Sequence, residues 1–228
     1  MRFQKLTIIL TAVFISVEVI NMGWNYIVTS SVPSASGWGN HFNDRAIENG
    51  REFYNYFHDL GFTDASIFGM MGNIEHESYF NPGQMEIGYN GSIYYGHGLI
   101  QWTGDIHGQS YQSPILTYAQ EYNRDWYDGA FQCFVINNID SQGAWIPTQD
   151  YPISWAEYKE LTNIETAVKC YYRNRERGGT GQEHYDIRIG YAERWREIIG
   201  SQPEPSDDNE LLIISKKHIK VRRELFIY

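Results

Sequence analysis

The chain has 228 residues, 42% of them apolar, and a formal charge of −10. That length suits one domain of about 150–200 residues with appendages, and the acidic balance argues against a cationic grip on nucleic acid. The 18 Tyr, 7 Trp and 11 Phe suit either a Tyr-rich core and surface or a groove that stacks on flat, hydroxyl-rich ligands such as sugar rings.

At the N-terminus, Arg2 and Lys5 precede the uncharged run LTIILTAVFISV, residues 6–17. This reads as the n- and h-regions of a secretory signal. Small residues in SSVPSASG, 30–37, fit cleavage near Ala35 or Ser36. The run is short for a membrane span, and Glu18, Asn21 and Asn25 interrupt its extension to about 20 residues. The expectation is an exported or envelope-associated protein, with an uncleaved N-terminal membrane anchor as the alternative. Residues 1–36 are accordingly assigned to targeting segment and linker, 37–200 to one domain, and 201–228 to a polar linker and basic tail of unassigned role.

Helices are expected over about 43–60 and 64–78, the second capped by Thr63 or Asp64 and carrying Ile67, Met70, Met71 and Ile74 on one stripe. Asn81-Pro82-Gly83 forces a turn. Residues 84–110 are rich in Gly and Tyr, with Asn90-Gly91 as a tight-turn signal. Helices resume at about 113–125, 130–139 and 154–161. Thr162-Asn163-Ile164-Glu165 reads as a capping box, opening a helix to about 175 that turns Ala167, Val168 and Tyr171 inward and breaks at Gly178-Gly179. A last helix covers about 184–199, with Ile187, Tyr191, Trp195 and Ile198 on one stripe. The fold class is mainly α, with a small β or loop excursion near 85–100.

Cys133 and Cys170 lie 37 residues apart. In an exported protein they fit a disulfide; two buried thiols on packed helices are the alternative. Neither has a local His or Cys partner, so neither a metal nor a cofactor is expected.

Two carboxylates, Glu75 and Glu77, close the helix that ends at 78. At about 100° per residue both flank the buried stripe, on opposite sides. Glu77 is in the final turn, where the helix dipole disfavours negative charge, and partial burial against aromatics would raise its pKa further. A carboxylic acid that stays protonated near neutral pH is what a glycosidase acid must be; a surface Glu at a frayed helix end is the plain alternative.

The stretch GMMGNIEHESYFNPG (69–83) with YGHGLIQWTG (95–104) resembles the phage tail-tip lysozyme family, a branch of the lysozyme-like superfamily that includes goose-type lysozymes and soluble lytic transglycosylases. The resemblance continues through QCFVINN (132–138), WIPTQDYPISWAEY (145–158) and AVKCYYRNRERGG (167–179). It implies a lysozyme-like helical domain with Glu77 as general acid and Glu75 as a neighbour. Gly98, Leu99, Gln101 and Trp102 fall on the cleft-wall segment. Gln101 either hydrogen-bonds the sugar N-acetyl group, orients Glu77, or packs the loop; Trp102, Tyr94 and Tyr95 are stacking candidates, and Ser78 follows the acid. Three departures stand out: Tyr79 where a small residue is usual, Arg175 in place of an aromatic before Glu176-Arg177, and the unmatched basic tail.

The resemblance implies a muramidase that hydrolyses the β-1,4 bond between N-acetylmuramic acid and N-acetylglucosamine in peptidoglycan. Inverting hydrolysis needs a second carboxylate about 6.5–9.5 Å from the acid, for which Glu86 and Asp105 are candidates and Glu75 a third. Without one, either the substrate's own N-acetyl oxygen attacks or the muramic 6-hydroxyl closes an anhydro ring, the latter being lytic transglycosylase chemistry. An acidic protein meeting an anionic wall relies on stacking and hydrogen bonds, which fits delivery to the wall by a phage tail or conjugation apparatus. Two rivals are a wall peptidase or amidase, for which no activated Cys-His pair or HExxH is found, and a non-catalytic glycan-binding or tail-structural module on the same fold.

Overall fold

The computed structural model describes residues 23–201, and these are mainly helical with no extended sheet. A short turn, α1 (Pro33–Ser36), precedes α2 (Asp44–Asp59) and α3 (Asp64–Ser78); α4 (Pro114–Glu121), α5 (Gly129–Val135), α6 (Ser141–Gly143), α7 (Trp155–Lys159), α8 (Ile164–Tyr171) and α9 (Gln182–Gly200) follow. Local chemistry sets the starts. Asn43 accepts from the Ala46 amide at α2, and Thr63 from the Ser66 amide at α3, so Thr63 rather than Asp64 is the cap. At α8 the expected capping box gives way to Asn163, whose side chain accepts from the Thr166 amide at 2.8 Å. Glu165 instead reaches Lys169 one turn on, at 2.6 Å. The reciprocal box forms at α7, between Ser154 and Glu157.

The axis of the domain is α3, with α9 and α8 packed along it and α2 on a further side. Residues 65–75 are buried without a break. The expected stripe of Ile67, Met70, Met71 and Ile74 is fully buried but is only part of the interface, because an enclosed helix must be apolar or small all round. Gly72 lets α9 approach: a Cβ there would lie 2.4 Å from the Arg188 carbonyl oxygen and 2.8 Å from Ala192 Cβ. This crossing carries Arg188 to the last turn of α3.

The buried face of α9 is Tyr185, Arg188, Ala192, Trp195 and Ile198. The expected stripe shares Trp195 and Ile198 with it, but Ile187 is 45% exposed. The helix is rotated so that an arginine faces α3 where the apolar pattern pointed to an isoleucine. α8 does turn Ala167, Val168 and Tyr171 inward.

Two helices end in wide π turns. α5 continues through Ile136–Asp140, and α8 through Tyr172–Glu176 before Arg177 adopts a left-handed φ of 57°. A π turn inserts a residue and re-aims the side chains that follow; these two bring Asp140, Arg175 and Glu176 to one cleft.

Between α3 and α4 there are only isolated bridges, Met85 to His97 and His97 to Trp102. The Asn90-Gly91 turn is present: φ is positive at both residues (49° and 71°), and the Ser92 amide donates to the Tyr89 carbonyl at 3.0 Å. Residues 23–36, assigned from sequence to targeting segment and linker, lie against the domain. Asn81, from the Asn-Pro-Gly turn, clamps Ile27 by accepting from its amide at 3.0 Å and donating to its carbonyl at 2.8 Å. Asn49 holds Asn25 in the same way.

The signal expected over 6–17 and the basic tail both lie outside the described residues. Among the described residues no helix is long and apolar enough to cross a membrane. Cys133 and Cys170 are free and buried, not a disulfide; burial pushes both thiols up, that of Cys170 to about 12.

Candidate active site

A cleft of about 790 Å³ opens beside the C-terminal turn of α3, a size suited to a small-molecule or oligosaccharide segment. Its walls are Glu77 of α3, the segments 84–87 and 100–103, Tyr111 to Tyr118 at the start of α4, the two π turns, and Arg188 of α9.

Glu77 is about one-quarter exposed, and its Oε1 accepts from Arg188 Nη2 at 2.6 Å. The same Nη2 lies 3.7 Å from Glu176 Oε2. Burial pushes the Glu77 carboxyl up; the Arg188 guanidinium opposes this, and the charge of Glu86 adds to it. Glu176 is 9% exposed, and neither of its carboxylate oxygens has a hydrogen-bond partner in the structure. Burial first, and the Glu77 charge second, push it up to about 8 against the pull of Arg188 and Arg175.

Glu75 faces the other way. The two residues differ by about 200° of helical rotation, and Glu75 is wholly buried. Its Oε1 lies 2.9 Å from His41 Nδ1 and accepts from the Phe42 amide at 3.2 Å. Tyr79 stacks on the His41 ring, and Tyr191 Oη meets His41 Nε2 at 2.9 Å. Tyr79, the bulky residue after Glu-Ser, thus covers this buried pair. Glu75 does not line the cleft, which removes it as a second acid: its face of α3 is sealed.

Of the remaining candidates, Glu86 lines the cleft and its Oε2 accepts from the Gly96 amide at 2.9 Å. Asp105 does not line it. Its carboxylate clasps its own loop, accepting from the backbone amides of Gly108 (2.8 Å), His107 (3.2 Å) and Ser110 (3.4 Å). Those bonds, the Gly108 amide foremost, hold Asp105 below the usual carboxylate range. Gln101 and Trp102 both line the cleft. The Gln101 amide donates to the Gly98 and Gln84 carbonyls at 2.8 and 3.2 Å, so it packs the loop as well as facing the cavity. Trp102 is buried, with Nε1 donating to Asp140 Oδ2 at 2.8 Å. Ser78, Tyr94 and Tyr95 are not on the cleft wall. Ser78 is buried and donates back to the Ile74 carbonyl, while Tyr95 stacks on Tyr89 with ring centroids 3.7 Å apart. The aromatic rings that do line the cleft with Trp102 are Tyr111, Tyr118 and Tyr172; Tyr111 is 62% exposed.

A model of the phage tail lysozyme family matches residues 48–199. The chain belongs to that family. The matched span runs from within α2 to the end of α9 and includes every residue of the cleft wall. Membership of the phage tail lysozymes makes it a peptidoglycan-cleaving enzyme.

Sequence reasoning missed Asp140, Arg175, Glu176 and Arg188 as parts of this lysozyme's site. Arg175, met first as a departure from the family pattern, donates to Asp140 Oδ2 through Nη2 at 2.6 Å and Nε at 3.1 Å. Asp140 thereby ties Arg175 to Trp102 and braces one wall. Arg188 had a signal: it stands three residues after Tyr185 and four before Ala192, in the buried register of α9, and a core position filled by arginine calls for a buried acid.

Proposed function

We propose that the cleft cuts the β-1,4 bond between N-acetylmuramic acid and N-acetylglucosamine by hydrolysis, with Glu77 as general acid. The observation that carries this reading is a carboxyl on the cleft wall, partly open to substrate, whose pKa burial raises. Such a group keeps a proton to give to the leaving oxygen. Glu86 is the carboxylate proposed to activate water, because it lines the same cleft and its charge is felt at Glu77. Tyr111 and Tyr118 on the cleft wall supply ring faces for sugars, whereas Trp102, only 3% exposed, braces that wall through Asp140. Arg177, also on the cleft wall, can meet the carboxylates of the muramyl peptide.

Export to the cell envelope, or tethering there by the N-terminus, is part of the proposal and is supported by Arg2, Lys5 and the apolar run 6–17. Delivery by a phage tail or conjugation apparatus accords with the acidic net charge. Digesting purified peptidoglycan and identifying the new ends by mass tests the reading. Reducing muramic ends are expected. Anhydro-muramic ends would replace hydrolysis with transglycosylation and leave Glu86 no water to activate. Freed peptides without glycan cleavage would overturn the glycosidase reading, and unchanged glycan cleavage by Glu77→Gln would remove Glu77 from its role.

A further inference from the structure

We propose that Glu176 is a positioning residue for Glu77: the two carboxyls and Arg188 form one unit that holds a single proton, and this unit keeps Glu77 able to act as an acid. The proposal rests on the reading of Glu77 as general acid.

The geometry ties the two acids to one cation: Arg188 Nη2 is 2.6 Å from Glu77 Oε1 and 3.7 Å from Glu176 Oε2. Beyond that 3.7 Å contact with Arg188, both Glu176 oxygens are buried without a hydrogen-bond partner, although an ionised carboxylate offers about four acceptor sites.

One guanidinium serves two acids. With both ionised the unit carries a net negative charge in a largely covered site, and one bound proton makes it neutral. Arg188 itself is fixed: Nη1 donates to the His184 carbonyl at 3.3 Å, and the guanidinium sits 4.3 Å over the Tyr172 ring.

The surrounding charges relieve the crowding only in part, Arg175 pulling the Glu176 carboxyl down without cancelling its rise. On the π turn of α8, Arg175 is committed to Asp140 of the other π turn. Glu86, from the 84–87 segment, adds negative charge toward Glu77. His76, next to Glu77 on α3, is pushed down to about 4 by burial and then by Arg188, so it is neutral at working pH. Transfer of the proton from Glu77 to the leaving oxygen leaves both carboxyls ionised around Arg188. Glu86, which takes a proton from the attacking water, releases it to solvent, and the unit regains one once product leaves, so the cycle balances.

The test is the pH–rate profile of peptidoglycan solubilisation for the unsubstituted protein and Glu176→Gln. Removing one negative charge leaves Glu77 paired with Arg188 alone and more readily ionised, so the alkaline limb is expected to move to lower pH by about one unit or more. A lower rate at every pH with the limb unmoved would mean a merely structural role and overturn the proposal. A second measurement holds even where that variant fails to fold: carbon-13 titration of glutamate side-chain carboxyls in the unsubstituted protein and in Glu77→Gln. One carboxyl is expected to titrate well above the rest and to fall by about a unit when residue 77 loses its charge. If every glutamate titrates below about pH 6, or if the high midpoint ignores residue 77, there is no shared proton. The titration reads the unit without activity, so its failure is distinct from failure of the general-acid reading, which Glu77→Gln activity decides.

Discussion

Glu75 and Glu77 close the same helix two residues apart, and their surroundings have almost nothing in common. Glu75 is buried against the segment just ahead of α2, where it meets the His41 ring and the Phe42 amide. Glu77 shares a buried arginine with a second acid and opens on a cleft. The helix end supplies the same dipole to both, so it cannot distinguish them. What distinguishes them is partnership: Glu75 meets an imidazole and a backbone amide of its own, whereas Glu77 shares one arginine with Glu176. A carboxyl closed off from the cleft is structure; a carboxyl on the cleft wall that shares one cation with a second acid holds a proton it can give away.

The largest expected effect separates the two faces directly. Glu77→Gln should lower peptidoglycan cleavage by about 10²–10⁴-fold while circular dichroism and melting stay near those of the unsubstituted protein. A residual rate within tenfold would erase the contrast with Glu75. Next comes the crossing that builds the Glu77 face. Gly72→Ala drives a methyl into the Arg188 backbone and should cost about 1–3 kcal/mol of stability in denaturant unfolding, with a loss of activity as Arg188 is displaced.

Glu75→Gln should be a stability variant alone. It weakens the buried hydrogen bonds to His41 and the Phe42 amide and should cost about 1–3 kcal/mol, with specific activity of the folded fraction within about threefold; a kinetic effect as large as that at 77 would make the two faces one site.

A subtler comparison uses pH. The folded Glu176 carboxyl lies above its ordinary 4.5, at about 8. Between those values the folded protein binds more protons than the unfolded chain. Stability from this group is therefore full below about 4.5 and is lost as pH rises through about 8. Glu176→Gln abolishes that loss, so its melting temperature should gain on the unsubstituted protein as pH rises through this window, by about 2–4 °C for each kcal/mol of the loss removed; a constant difference across pH would refute it. The smallest effect is at Asp105, whose carboxylate only clasps its own exposed loop. Asp105→Asn should leave melting and activity unchanged within about twofold.

Much of the fold was legible because its signals act within one turn of chain. Asn43 and Thr63 cap helices where side-chain oxygens can reach amides three residues on, and Asn90-Gly91 turns where φ must be positive. The same locality explains the errors. Thr162 and Asn163 both suit a cap, and packing of α8 selected the second. Ile187 fits an apolar stripe on paper, but the close approach at Gly72 rotated α9 so that Arg188 faces inward. The π turns have no periodicity signal, so Asp140 and Glu176 could not be placed facing one cleft.

From the sequence alone came the helical class, the family and an acid at the end of α3, because capping, periodicity and motif order are written along the chain. That Glu75 turns to a histidine, that Glu77 lines the cleft, and which arginine stands between two acids were decided only in three dimensions. Glu77 and Arg188 are 111 residues apart, and nothing local to either specifies the other. The α3–α9 crossing brings them together, and burial there converts an ordinary ion pair into a contest for one proton.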